Sequence, residues 1–328
     1  PEAEYRQYSR SGSCGMTEFY KMTQNCLKCE KSASSLSLPE VRETFLTSVR
    51  LIEGKPLPDV EAQEEYVPGL NNAPDVRILT YSPRKCAPKA PAMVYIHGGG
   101  LVSGHPEVDD PKCQQLASKM GFKVFSVDYR LAPEVKYPGA IEDCYAVLKW
   151  VHENADKLGI DREKVVVAGE SAGGGLSAAL SLMARDKKEY KLAYQLLIYP
   201  MLDDRTATTS DPAADFGEFV WTRSANKFAW QAYLGNDAGG ANTPAYASAA
   251  RAKDLTGLPP TFIGVGSMDL FLCEDLDYAK RLMAAGVPTE VMVVPGAYHV
   301  FDMYVPDAEL SRRFADAYCA GLKRVLGL

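Results

Sequence analysis

Six short apolar runs alternate with segments of helical spacing, and that alternation leaves few folds open other than a mainly parallel sheet covered on both faces. The runs are Ala92 to Ile96, Lys123 to Val127, Lys164 to Ala168, Tyr194 to Tyr199, Pro260 to Val265 and Glu290 to Val294. Helices are predicted over 112–120, 139–157, 172–186, 274–285 and 307–326. Upstream, short β-like runs begin near residue 56, and Val76 to Tyr81 is the clearest of them. The stretch 205–250 breaks the rhythm: Trp221, Phe228, Trp230 and Tyr233 sit at helical spacing, so it reads as a cap-like insertion over the carboxyl edge of the sheet. Residues 1–55 are patterned differently, with Phe19, Met22 and Cys26 in one stretch and Val41, Phe45 and Val49 after Pro39. Two or three helices over the N-terminal segment 1–55 and one α/β domain over 56–328 are expected.

Composition narrows the function classes. Apolar residues make up 46% of the 328 and charged residues 24%, a balance that fits a folded globular chain rather than a disordered one. The net charge of -6 offers no basic surface for a phosphate backbone, so nucleic acid is not an expected partner. No apolar stretch approaches the ~18 residues of a membrane span, and the first residues lack the pattern of a signal peptide. The expected compartment is the cytoplasm, with N-terminal processing left open by a chain that begins at Pro1. Eight cysteines are spread thinly over a chain large enough to fold without disulfides, so most are expected as thiols. Cys26-x-x-Cys29 has no second Cys or His pair, so no metal site is expected.

The chemistry centres on Gly169-Glu170-Ser171-Ala172-Gly173-Gly174, which follows the run Val165 to Ala168 and precedes a helical pattern. Strand, sharp turn and helix are what a G-x-S-x-G nucleophile elbow requires, with Ser171 pushed out of a turn too tight for side chains at 169 and 173. His97-Gly98-Gly99-Gly100 ends an earlier strand, and its glycines let backbone N–H groups approach a substrate oxygen; with the N–H of Ala172 they would form an oxyanion hole. His97 and Gly98 read as the support of that loop. The base follows by elimination among His97, His105, His152 and His299. His97 belongs to the glycine loop, His105 lies upstream in a loop, and His152 falls in a helix. His299 remains, just past the last strand. Asp269, in the loop after the strand ending at Val265, completes the order Ser, Asp, His. Asp203, Asp204, Asp275, Asp277 and Asp302 are the competing carboxylates.

These motifs resemble the hormone-sensitive-lipase-like family of α/β-hydrolases. The resemblance extends to Tyr129-Arg130-Leu131-Ala132-Pro133-Glu134, Tyr199 to Asp204 and Asn242-Thr243-Pro244 to Ala247-Ser248, and covers about residues 90 to 305. These side motifs read as structural, bracing the glycine loop and the strand ends. The family implies an α/β-hydrolase fold whose N-terminal segment, here 1–55, is a helical cap, Gly99 and Gly100 as oxyanion donors, and hydrolysis of short- to medium-chain acyl esters without a cofactor. It also implies a small-molecule ester as partner and a monomer or homodimer. Two departures stand out: Glu170 replaces the usual Asp, and Cys273 sits where another acid is common. The cap helices and the aromatic insertion, with Trp221, Phe228, Trp230 and Tyr233, are expected to shape the acyl and alcohol pockets, Trp230 and Tyr233 being the candidate walls. An amidase, arylformamidase or peptidase would use the same triad. A non-catalytic ligand receptor on the same fold, as in plant gibberellin receptors, lacks the base that His299 supplies here. No long apolar lid of the kind expected of a true lipase is visible.

Overall fold

Runs of apolar residues alternate their side chains between the two faces of a sheet, and both faces here are covered. A computed structural model describes Leu38, Arg42, residues 55–210, Pro212 and residues 216–328. The eight described strands are β1 (Val60–Val67), β2 (Val76–Pro83), β3 (Ala90–Ile96), β4 (Lys123–Asp128), β5 (Ile160–Glu170), β6 (Tyr194–Ile198), β7 (Thr261–Gly266) and β8 (Thr289–Val294). They form one sheet in the order β1-β2-β4-β3-β5-β6-β7-β8. β1 pairs with β2 and β2 with β4 antiparallel; every other pairing is parallel. Ala92, Val94 and Ile96 of β3 and Val165 and Val167 of β5 face one core. Met93 and Tyr95 of β3 and Val166 and Ala168 of β5 face the other.

The helices are α1 (Asp110–Met120), α2 (Gly139–Glu153), α3 (Ala155–Leu158), α4 (Ala172–Lys187), α5 (Arg223–Leu234), α6 (Leu272–Ala284), α7 (Phe301–Tyr304) and α8 (Glu309–Leu326). On α8, Phe314, Tyr318, Leu322 and Leu326 repeat every four residues and are buried with Leu116 and Ala117 of α1 in the second core. Residues of α2 and α4 fill the first. No helix among the described residues is long and apolar enough to cross a membrane.

The six expected strands and the five expected helical regions are present, with revised ends. The expected helix 139–157 divides at Asn154, whose Nδ2 donates to Trp150 O at 2.9 Å. β5 begins at Ile160, four residues early, because Asp161 to Lys164 are polar and partly exposed and interrupt the apolar signal. β1 falls where short β-like runs are expected from residue 56, without bounds of its own: it is an edge strand whose Glu61, Glu64 and Glu65 reach solvent, a charge placement that discourages pairing with other chains. The expected helices of 1–55 lie outside the described residues apart from Leu38 and Arg42. Arg42 donates to Val102 O at 2.7 Å and Ala132 O at 3.1 Å and pairs with Glu134 at 2.8 Å, so it is tied to the segments after the glycine loop and after Tyr129. Cys86, Cys113, Cys144, Cys273 and Cys319 are free thiols; Cys14, Cys26 and Cys29 lie outside the described residues.

Parallel strands deliver their following loops to one edge. His97 follows β3, Ser171 follows β5, Asp269 lies just past β7 and His299 just past β8, so residues far apart in the chain meet at the carboxyl edge of the sheet.

Candidate active site

Ser171 caps the N-terminus of α4 with φ 52° and ψ -119°, a conformation strained for any residue with a side chain. The strain is held by main-chain bonds on both sides. Ser171 N donates to Ile198 O at 2.9 Å, and Ser171 O accepts from Met201 N at 2.9 Å and Gly175 N at 3.0 Å. The elbow also lies hard against the end of β3, where a Cβ on Gly169 would stand 2.7 Å from Ile96 O and one on Gly173 would run into Ile96 O and His97 O.

The imidazole of His299 bridges the other two groups. Its Nε2 lies 2.9 Å from Ser171 Oγ and its Nδ1 2.8 Å from Asp269 Oδ2. Asp269 Oδ1 accepts the Phe271 N–H at 3.0 Å, which fixes the rotation of the carboxylate. With a carboxylate on its Nδ1 side, the imidazole keeps its proton there and turns the Nε2 lone pair toward the Ser171 hydroxyl. All three side chains are buried. The rings of Tyr199 and Phe271 stand edge-on to the imidazole at 4.9 and 5.1 Å, and Trp221 lies at 6.5 Å.

The glycine loop turns its carbonyls into the protein. Gly98 O accepts from His97 Nδ1 at 2.6 Å, and Gly99 O accepts from Ser103 Oγ at 2.9 Å and Ser103 N at 3.0 Å. Gly99 has φ 113° and Gly100 φ 63°, values that favour glycine, and these reverse the chain. The N–H groups of Gly99, Gly100 and Ala172 have no acceptor among the described residues, although all three residues are buried. A buried donor without an acceptor costs roughly 1–3 kcal/mol, and a negative oxygen placed there would remove that cost.

His97 braces this loop. Its ring stacks on Tyr129 with centroids 4.2 Å apart, and Tyr129 Oη donates to His97 O at 3.0 Å. Burial disfavours the imidazolium and lowers the His97 pKa from 6.5 to about 4. The folded state thus resists a proton that the unfolded state accepts. The associated stability is present above pH 6.5 and is lost as the pH falls through 4, a contribution of about 3 kcal/mol. His97→Gln is expected to flatten the fall in unfolding free energy between pH 7 and pH 4, measured by urea denaturation at several pH values; an unchanged slope would remove His97 as its source.

The other candidates are bound elsewhere. His105 Nδ1 pairs with Glu107 at 2.8 Å, and His152 packs against Tyr190. Asp203 is held by Arg205, Asp204 by Arg251 and Thr243, and Asp302 by Tyr199 and Lys112. Asp277 is paired with Arg281 at 4.0 Å, and Asp275 is buried on α6. Cys273 is exposed, while Glu274 beside it is buried and accepts from Leu202 N and Asp203 N, so this carboxylate braces the loop after β6.

Trp230 and Tyr233 sit differently from the expected pocket wall. Both are only 1% exposed and pack inside the core cluster, because on α5 their spacing turns them inward with Ala229. Trp221, just before that helix, is the aromatic that reaches the site: a Cβ on Gly100 would run into its indole ring, and its Nε1 donates to Asn226 Oδ1 at 3.1 Å. Trp221 is one of the insertion aromatics expected to shape the pocket; Tyr199 and Phe271 were missed as site residues because strand or helical spacing alone assigns large aromatic side chains to a core.

Comparison with known proteins agrees with the fold. The α/β-hydrolase fold family matches residues 93–303. Carboxylesterase NlhH of Mycobacterium tuberculosis is 34% identical over 275 residues, 82% of this chain and 84% of the relative. The structure of a bacterial heroin esterase is 38% identical with a TM-score of 0.84, covering 88% of this chain and 92% of the other. A hyperthermophilic esterase from Pyrobaculum calidifontis is 34% identical with a TM-score of 0.83, covering 93% and 97%.

Proposed function

The chain belongs to the hormone-sensitive-lipase-like carboxylesterases of the α/β-hydrolase fold, and from that premise we propose that Ser171, His299 and Asp269 hydrolyse short- to medium-chain acyl esters through an acyl-enzyme. The protein is a serine carboxylesterase. The observation that carries the assignment of roles is the unbroken relay from Ser171 Oγ through His299 to Asp269, at 2.9 and 2.8 Å. Ser171 Oγ attacks the ester carbonyl as His299 Nε2 takes its proton. The carbonyl oxygen becomes negative against the N–H groups of Gly99, Gly100 and Ala172, each worth roughly 2.7–4 kcal/mol where such donors have been removed in other enzymes. His299 then gives the proton to the leaving alcohol. Water enters, loses a proton to His299 and attacks the acyl group, which releases the acid and restores Ser171. Asp269 holds the imidazole and stabilises its charged form without becoming protonated. The expected assembly is a monomer or homodimer acting in the cytoplasm.

Trp221 bounds the space above Gly100 and beside His299, and so limits the acyl or alcohol group there. A panel of p-nitrophenyl esters from acetate to dodecanoate tests the reading, with kcat/KM expected to peak at short or medium chains. Trp221→Ala should move that optimum, raising the ratio for a longer over a shorter ester by about tenfold. A flat profile in both proteins would contradict the proposed substrate range, and an unchanged optimum in the variant would remove Trp221 from the pocket wall.

A further inference from the structure

Buried charges away from the triad need partners, and one set of them runs between the two loops that carry it. Glu170, immediately before Ser171, is 2% exposed and forms an ion pair with Lys112 of α1. The same ammonium lies 3.2 Å from Asp302 Oδ2, three residues after His299. Asp302 Oδ1 accepts from Tyr199 Oη at 2.9 Å, and the Tyr199 ring is the one that stands edge-on to the His299 imidazole at 4.9 Å. One lysine side chain thus spans the elbow and the loop of the base. Glu170 is also where this chain departs from the family pattern of Asp, and the longer arm is the one that meets Lys112.

Without the ammonium, Glu170 and Asp302 would face each other as buried carboxylates, and their repulsion would push the two loops apart. Asp109, in the turn before α1, is 1% exposed with neither carboxylate oxygen hydrogen-bonded; burial raises its pKa to about 7, and the nearby Lys112 ammonium opposes that rise. Around the cluster also lie Cys113 and Asp110 on α1, Tyr95 on β3, and Tyr318 and Cys319 on α8, with Lys119, Asp316 and Lys323 acting on the last of these. The thiols and phenols are neutral in their ordinary protonation state near neutral pH, and Lys112 is the cation in contact with both Glu170 and Asp302.

We propose that Lys112 is a positioning residue for ester hydrolysis, tying Glu170 to Asp302 so that Ser171 and His299 stay at hydrogen-bonding distance. This rests on the triad as read above, and Ser171→Ala tests that reading separately. Lys112→Met and Lys112→Arg are compared with the wild-type chain over a pH series with p-nitrophenyl butyrate, with circular dichroism to confirm folding. Lys112→Met is expected to lower kcat about 10- to 100-fold, with KM within about twofold, because misplacement of the reacting groups acts on the chemical step. The two unneutralised carboxylates should also favour the imidazolium, so the acid limb of kcat/KM moves to higher pH. Lys112→Arg, which keeps the charge, should recover most of the rate and leave the limb in place. Where Lys112→Met does not fold, Asp302→Asn serves: kcat falls and the acid limb moves to lower pH, since a negative charge near the base is gone. Wild-type kcat with an unmoved limb in the folded variant overturns the inference, as does a Lys112→Arg protein as impaired as Lys112→Met. Full activity in Ser171→Ala would instead overturn the triad.

Discussion

Ser171→Ala is expected to lower kcat for p-nitrophenyl butyrate by about 10^6-fold, leaving only what the oxyanion donors and substrate binding supply. The loss is confined to chemistry because alanine keeps the Cβ that the strained φ of 52° already accommodates. The main-chain bonds of residue 171 to Ile198, Met201 and Gly175 do not involve the hydroxyl, so the unfolding temperature should change little. A variant that keeps most of its esterase activity would exclude Ser171 as nucleophile.

Asp269→Asn should cost about 10^4-fold in kcat with the fold intact. The size follows from the partner of the second oxygen. Oδ1 accepts the Phe271 N–H at 3.0 Å, and an asparagine would keep its carbonyl there and turn its NH2 toward His299 Nδ1. Nδ1 would then have to accept, which places the ring proton on Nε2, where it can no longer receive the proton of Ser171. A loss below tenfold would mean that another carboxylate orients the base; Asp302, three residues after His299, is the nearest in sequence.

The elbow was legible because its turn permits so few residue types: glycines at 169 and 173 are forced by the close approach of β3, and that pressure is written into the local sequence. His299 was legible because histidine is scarce here: of the four in the chain, local sequence puts one in the glycine loop, one in an upstream loop and one in a helix. The pocket wall was legible only in part, with Trp221 among the aromatics expected to shape it. Trp221, Trp230 and Tyr233 share one periodic pattern, and only the placement of α5 separates the two that turn into the core from the one that reaches Gly100. The tie through Lys112 was equally hidden, since Glu170 and Asp302 meet it across 58 and 190 positions, and no local spacing records such a pairing. β1 was anticipated only as one of the short β-like runs after residue 56, and its bounds were not, because an exposed edge strand has polar residues where a strand pattern needs apolar ones. The departure at Glu170 was visible in the sequence, but its partner was not.

Incubation of the purified protein with a fluorophosphonate ester, followed by peptide mass spectrometry, asks which hydroxyl the fold has made nucleophilic. One phosphonyl group per chain, on the peptide carrying Gly169 to Gly174 and absent after His299→Ala, is the expected result. An adduct on any other residue, or none in a protein that is hydrolysing esters, would contradict a nucleophile at Ser171 activated by His299.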